Sequence, residues 1–149
     1  MLVDSPGTAT RGMNFIDTNI LLYAFGPEGA SDTRPAEARR LLSNGNLAFS
    51  IQVFQEFYVQ ATHPRREQPL TFEEAGEVIE SLTAFPVQNN NLTVFRSAVE
   101  IQSRFQISFW DANILAAALS LHCEVVLSED LSHGQDYGGV KVINPFLDQ

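Results

Sequence analysis

An α/β fold with a mainly parallel central sheet flanked by helices is predicted for this chain, on three observations. Short apolar runs of strand character, "MNFID", "LAFS", "EVVLS" and "VKVI", recur along the sequence. Between most of them lie amphipathic segments of helical period, and the junctions carry Gly, Pro and Asn stop signals. Strands held about ten or more residues apart cannot pair as hairpins. They need right-handed crossovers, so they run parallel and are covered by helices on both faces, in three layers.

The elements follow in order. "MNFID" is a strand and "TNILLYAF" a short helix stopped by "GPEG". "RPAEARRLLS" is a helix with Pro35 near its start, Ala38, Leu41 and Leu42 on one face, and "NGN" after it. "LAFS" leads into the helix "IQVFQEFYVQAT", capped by Ser50, with Val53, Phe54, Phe57 and Ile51 as its buried stripe. "THPRREQPL" is a loop bounded by Pro64 and Pro69. "TFEEAGEVIESLTAF" opens on a Thr71 and Glu74 capping box and keeps helical period through Phe72, Ala75, Val78, Ile79 and Leu82. After a brief strand at "PVQ", the helix "NLTVFRSAVEIQSRF" places Leu92, Phe95, Val99 and Gln102 along one side. "SFWDANILAAALSLH" is the next helix, "EVVLS" a strand, "EDLSHGQDYGG" a glycine-bearing loop and "VKVI" the last strand.

Composition limits the reading further. A chain of 149 residues with 44% hydrophobic content fits one domain with a single core, residues 13–149. The opening "MLVDSPGTATRG", residues 1–12, is expected to be a disordered leader: it has neither apolar period nor the apolar run of a signal peptide, and Met13 is a plausible alternative start. Cys123 is the only cysteine and has no disulfide partner, and no stretch reaches the roughly 20 apolar residues of a membrane helix. A soluble, cytoplasmic protein is expected. The formal net charge of −9 argues against a nucleic-acid binder of the usual basic kind. The bases are nevertheless clustered, Arg34, Arg39 and Arg40 in one segment and Arg65 with Arg66 in another.

In parallel α/β sheets ligands bind outside the carboxyl ends of the strands. Asp17 ends the first strand, and Asp130 follows "EVVLS" by two positions. Glu56 lies about a turn and a half into the helix after "LAFS", and Asp111 in the first turn of its helix. All four therefore approach one edge of the sheet. Four carboxylates in one crevice repel one another unless cations neutralise them, and hard divalent ions such as Mg²⁺ or Mn²⁺ suit oxygen ligands. Each acid also has a plainer reading: Asp17 as a helix N-cap, Asp111 as the acid of a "SFWD" capping box, Glu56 as an exposed helix residue, Asp130 as a loop acid. His63, His122 and His133 have no metal or catalytic spacing, Cys123 reads as a small core residue, and Trp110 as a packing residue. No phosphate loop or GxGxxG is present.

The stretches "FIDTNILLYAF", "FSIQVFQEFYVQAT", "ISFWDANILAAAL" and "VVLSEDLSHGQ...VKVINPF" resemble, in order, the four signature blocks of PIN-domain ribonucleases, specifically VapC-type toxins of bacterial toxin–antitoxin pairs. The resemblance runs from Met13 to about Phe146. Position by position it implies an acidic quartet of Asp17, Glu56, Asp111 and Asp130, with Asp17, Asp111 and Asp130 as metal ligands and Asn19 and Ser128 as supporting polar groups. It also implies Mg²⁺- or Mn²⁺-dependent endonucleolytic cleavage of RNA, including structured RNA such as tRNA, with 5′-phosphate and 3′-hydroxyl products. A cognate antitoxin and a homodimer are implied partners. Arg65 and Arg66 are the candidate RNA contacts, with the 34–40 segment (Arg34, Arg39, Arg40) as a further local basic lip for the RNA backbone, and a negative surface suits a basic antitoxin tail. The competing readings are a catalytically silent PIN-like interaction module and a phosphatase working through an aspartyl-phosphate. The phosphatase usually needs a second acid beside the first, which "DTN" lacks.

Overall fold

The computed structural model describes residues 12–147. Five strands, β1 (Asn14–Ile16), β2 (Leu47–Ser50), β3 (Val87–Gln88), β4 (Val125–Leu127) and β5 (Lys141–Ile143), form one sheet in the order β3-β2-β1-β4-β5, every neighbouring pair parallel. The helices are α1 (Thr18–Ala24), α2 (Arg34–Leu42), α3 (Ile51–Ala61), α4 (Phe72–Leu82), α5 (Leu92–Phe105) and α6 (Phe109–Ser120). One group packs in sequence, α1 against α2 and α3, and α3 against α4; α5 and α6 form a second pair, with α6 lying on β2, β3 and β4. This is the predicted three-layer α/β architecture. The expected leader lies outside the described residues except for exposed Gly12, and Met13 is already buried in the core.

Local signals in the sequence explain where helices begin. Ser50 accepts a hydrogen bond from Val53 N, Asn91 from Val94 N and Ser108 from Asp111 N, and Thr71 with Glu74 closes the predicted capping box. β2 is buried at every position, as a central parallel strand flanked by helices should be. Phe15, Phe49, Phe57 and Leu115 are among the largest fully buried side chains, so the core runs through the sheet. No described helix is long and apolar enough to cross a membrane.

Two expectations are corrected. On α5 the buried face is Val94, Ala98 and Ile101, while Leu92, Phe95 and Val99 are exposed. Both stripes have helical period; the smaller one wins because α5 packs along the Ala-rich α6, where small side chains permit close approach. Phe72 is also exposed, stacked on Tyr58 with ring centroids 6.0 Å apart, because it stands at the first position of α4, outside the shared face. β4 and β5 are parallel, in keeping with the predicted sheet, and the predicted glycine-bearing loop rather than a helix joins them. That loop is held by Gly134 N to Val142 O, Val142 N to Gln135 O and Tyr137 N to Val140 O, with the Tyr137 side chain buried beneath it.

A carboxylate cleft at the switch point of the sheet

The chain lays down β1, β2 and β3 side by side, then returns to place β4 on the other side of β1. The strand order reverses there, and the crevice beyond the carboxyl ends of β1 and β4 is where such sheets bind ligands. Asp17 N donates to Leu127 O at 3.1 Å, which holds the two strand ends together. Asp17 is only 7% exposed and sits between two donors: its Oδ1 accepts from Thr18 N and its Oδ2 from the Ser128 hydroxyl, both at 2.7 Å. The N-cap role expected of Asp17 as its plainer reading is therefore real, and it leaves the carboxyl at the cleft wall.

The four predicted acids, Asp17, Glu56, Asp111 and Asp130, line one cleft of about 210 Å³ with Thr18, Asn19, Gln52, Gln60 and Trp110 among its other walls. Each is held differently. Glu56 Oε1 accepts from Thr18 Oγ1 at 2.7 Å and its Oε2 from Gln52 Nε2 at 3.2 Å. Gln52, buried one helical turn before Glu56, is itself gripped by Asn113 Nδ2 at 2.7 Å. Asp130 Oδ2 accepts from Asn19 Nδ2 at 3.0 Å, and Ser128 Oγ accepts from Asp130 N at 3.0 Å. Asn19 Oδ1 also takes Glu129 N at 3.2 Å, so Asn19 and Ser128 position the loop that carries Asp130. Asp111 follows Ser108 at the start of α6, and Ser108 Oγ accepts its backbone N–H at 3.1 Å.

Burial pushes the Asp17 carboxyl up to about 6; hydrogen bonds from Ser128 and from the Thr18 backbone oppose the rise, and the neighbouring Asp130 and Glu56 add to it. Asp111 is raised as well, first by burial and then by Asp130 and Glu56 against the lowering contact with Ser108. These carboxyls thus stand where negative charge is poorly compensated by the protein. Among the described residues no three His, Cys, Asp or Glu side chains are gathered into a ready-made metal nest. The acids surround the cleft instead. A small, hard cation that keeps several waters and takes few carboxylates directly fits such a donor set better than a cation that needs a closed protein cage.

Several supporting residues were not visible in the sequence. Thr18, Gln52 and Asn113 lie inside the stretches that carry the resemblance, but nothing there assigned them a role; an i to i+4 spacing between Gln52 and Glu56 is the one trace of theirs. Glu129 is tied by Tyr23 Oη at 2.6 Å and by Arg34 Nη1 at 3.1 Å, and Arg34 also lies 4.7 Å over the Tyr23 ring and pairs with Asp32. Burial and Glu129 together push the Tyr23 phenol up to about 12. The arginine segment expected as a basic lip is engaged within the fold: Arg34 as described, Arg39 with Glu28 and Ala24 O, Arg40 with Glu37. Arg66 donates to Leu22 O at 2.8 Å, whereas the Arg65 side chain is exposed and makes no ion pair among the described residues. Cys123 is buried, its thiol pushed up to about 12 by burial, in keeping with a packing role. Trp110, expected to pack, is 63% exposed at the rim of the cleft.

A family model described as PIN domain matches residues 15–134. No curated protein matches the sequence at a significant level. Among solved structures, a toxin–antitoxin complex from Klebsiella pneumoniae is similar at a TM-score of 0.64 and 21% identity, over 89% of this chain and 98% of that one. VapC20 of Mycobacterium tuberculosis, a sarcin-ricin loop cleaving toxin, is similar at 0.61 and 20%, over 78% and 91%. DNA-bound VapBC from Salmonella typhimurium is similar at 0.59 and 18%, over 87% and 96%.

Proposed function

The chain belongs to the PIN-domain family, and from that premise we propose that it is a divalent-metal-dependent endoribonuclease, the toxin of a toxin–antitoxin pair. The observation that carries the proposal is the single cleft at the sheet's switch point lined by Asp17, Glu56, Asp111 and Asp130, two of them raised by burial and mutual repulsion. Likeness to a toxin that cleaves the sarcin-ricin loop supports RNA as the substrate class, and likeness to toxin–antitoxin complexes supports a protein partner.

In this reading Asp17, Asp111 and Asp130 hold Mg²⁺ or Mn²⁺. Such an ion supplies Lewis-acid activation of water and neutralises charge on the scissile phosphate. Glu56, fixed at both oxygens by Thr18 and Gln52, receives the proton from the attacking water as general base. Ser128 and Asn19 keep the Asp17 and Asp130 carboxylates aimed at the cleft. Arg65, exposed in the loop after α3, is free to meet an RNA phosphate; Arg66 is partly committed to Leu22 O. The exposed Leu92, Phe95 and Val99 of α5 offer an apolar surface to the proposed second copy or antitoxin.

The test is cleavage of structured RNA, tRNA included, by purified protein with Mg²⁺ or Mn²⁺ and with a chelator. Cleavage should need the metal and leave 5′-phosphates. Asp17→Asn and Asp111→Asn should each lower the rate by about a hundredfold or more while the fold survives. Full activity in either variant overturns the ligand assignment. Antitoxin binding without any metal-dependent cleavage would return the protein to a silent PIN-like module.

A further inference from the structure

The cleft has a neighbour. A groove of about 360 Å³ lined by Gln52, Gln55, Glu56, Val59, Gln60 and Trp110 adjoins it and shares Glu56, Gln52, Gln60 and Trp110 with its walls. We propose that this groove is a nucleobase subsite, in which Trp110 stacks on one unstacked base of the RNA whose adjoining phosphate lies among the carboxylates; the proposal rests on the nuclease reading above.

Trp110 is built as a platform. Its indole is 63% exposed, yet it does not hang free: Phe109 meets it edge-on with centroids 5.1 Å apart at 79°, and Phe109 in turn tilts against Phe95 at 5.6 Å. The backbone is fixed as well, since Trp110 stands in the first turn of α6 between the cap Ser108 and Asp111, with Trp110 O accepting from Gln52 Nε2 at 3.3 Å. The ring is therefore held one residue from a carboxylate proposed to ligate the metal. Val59, also exposed, extends the apolar floor, and Gln55 and Gln60 place amide donors and acceptors at its edges. No Lys or Arg lines the groove, and Glu56 adds negative charge, so a phosphate is disfavoured there. A neutral, flat group with hydrogen-bonding edges is favoured. Aromatic stacking of bases tolerates any sequence because every base has a π-face, while the amides can add preference.

Trp110 is the only tryptophan of the chain, so tryptophan emission, excited at the long-wavelength edge where the three tyrosines do not absorb, reports on this groove alone. The full chain is titrated with short single-stranded RNA, with Ca²⁺ replacing Mg²⁺, beside an oligonucleotide carrying abasic positions and inorganic phosphate as probes. Base-bearing RNA should quench the emission; the abasic strand and phosphate should not. In cleavage assays Trp110→Ala should raise KM about tenfold with an unchanged salt dependence of binding, because stacking releases no counterions, and Trp110→Phe should recover most of the loss. Metal-dependent cleavage by the wild type without quenching overturns the subsite and leaves the nuclease reading intact. Absence of both cleavage and quenching overturns both. Trp110→Ala that cleaves RNA normally but loses a bound antitoxin would assign the groove to protein and overturn the proposal.

Discussion

At Asp17 burial and hydrogen bonding pull in opposite directions. The side chain is kept by Ser128 and Thr18 as an acceptor, yet loss of water and the neighbouring acids favour its protonated form, and the carboxyl rises from 3.8 to about 6. Because the folded-state value lies above the unfolded one, the native state retains this proton between about pH 4 and 6 while the unfolded chain has released it. The associated stability is present in full below about pH 4 and is lost as pH rises through 6, on the order of 3 kcal/mol for a shift of this size. Asp17→Asn stands in for the protonated carboxyl. In chelator, the stability of Asp17→Asn relative to wild type should therefore grow as pH rises from 4 to 7. Urea midpoints across that range measure it, and parallel curves for the two proteins would show that the charge is relieved some other way. A second residue-scale expectation concerns Gln52: Gln52→Ala leaves Asn113 and one Glu56 oxygen without their partner inside the fold, which should cost about 1–3 kcal/mol in a urea melt.

Helix α1 shows how an element is finished by residues far from it in sequence. It carries no basic residue in its last turn, where the carbonyls lack partners. Arg66 supplies Leu22 O and Arg39 supplies Ala24 O, so two distant cations do what a local lysine or arginine often does at a helix C-terminus. Gly26 makes room for this: a Cβ there would stand 2.6 Å from Leu22 O and 2.9 Å from Arg66 Nη2. Arg66→Ala should thus destabilise by about 1–2 kcal/mol, whereas Arg65→Ala should stay within about 0.5 kcal/mol. In RNA binding the pair should split the other way, with Arg65→Ala lowering the log–log salt slope by about one unit. Equal stabilities in denaturant titration, or an unchanged slope for Arg65→Ala, would remove the respective role.

For the molecule as a whole, the acids are a concentration of negative charge that a bound cation would relieve. A net charge of −9 with four carboxylates at one edge favours any cation by general attraction, so a specific site must be separated from screening. At a concentration about a hundred times its dissociation constant, Mg²⁺ or Mn²⁺ should raise the unfolding free energy at pH 7 by about 2.7 kcal/mol over Na⁺ at matched ionic strength. Asp111→Asn should abolish most of that gain. A thermal shift of equal size in wild type and variant would mean that the ion acts on the surface at large.

Period, caps and turn residues were local matters, and they gave the strands, the six helices and the place of Asp17, Glu56, Asp111 and Asp130 near the ends of their own elements, each depending on neighbours within about one helical turn. That the four meet at one edge followed only once a parallel sheet was inferred from the alternation of those elements. The side on which α5 packs was not local, because two apolar stripes of equal period competed and only the approach of α6 chose Val94, Ala98 and Ile101 over Leu92, Phe95 and Val99. The same holds for Trp110, whose exposure follows from where α6 meets α3 and α5, and for the arginines, whose partners Leu22, Ala24 and Glu129 come from other segments. The order β3-β2-β1-β4-β5 is what brings Ser128 within 2.7 Å of Asp17, 111 positions apart in the chain. Sequence alone determined which groups were available at the edge of the sheet; tertiary structure decided which are buried, paired or free, because burial and pairing depend on contacts that no short stretch of chain contains.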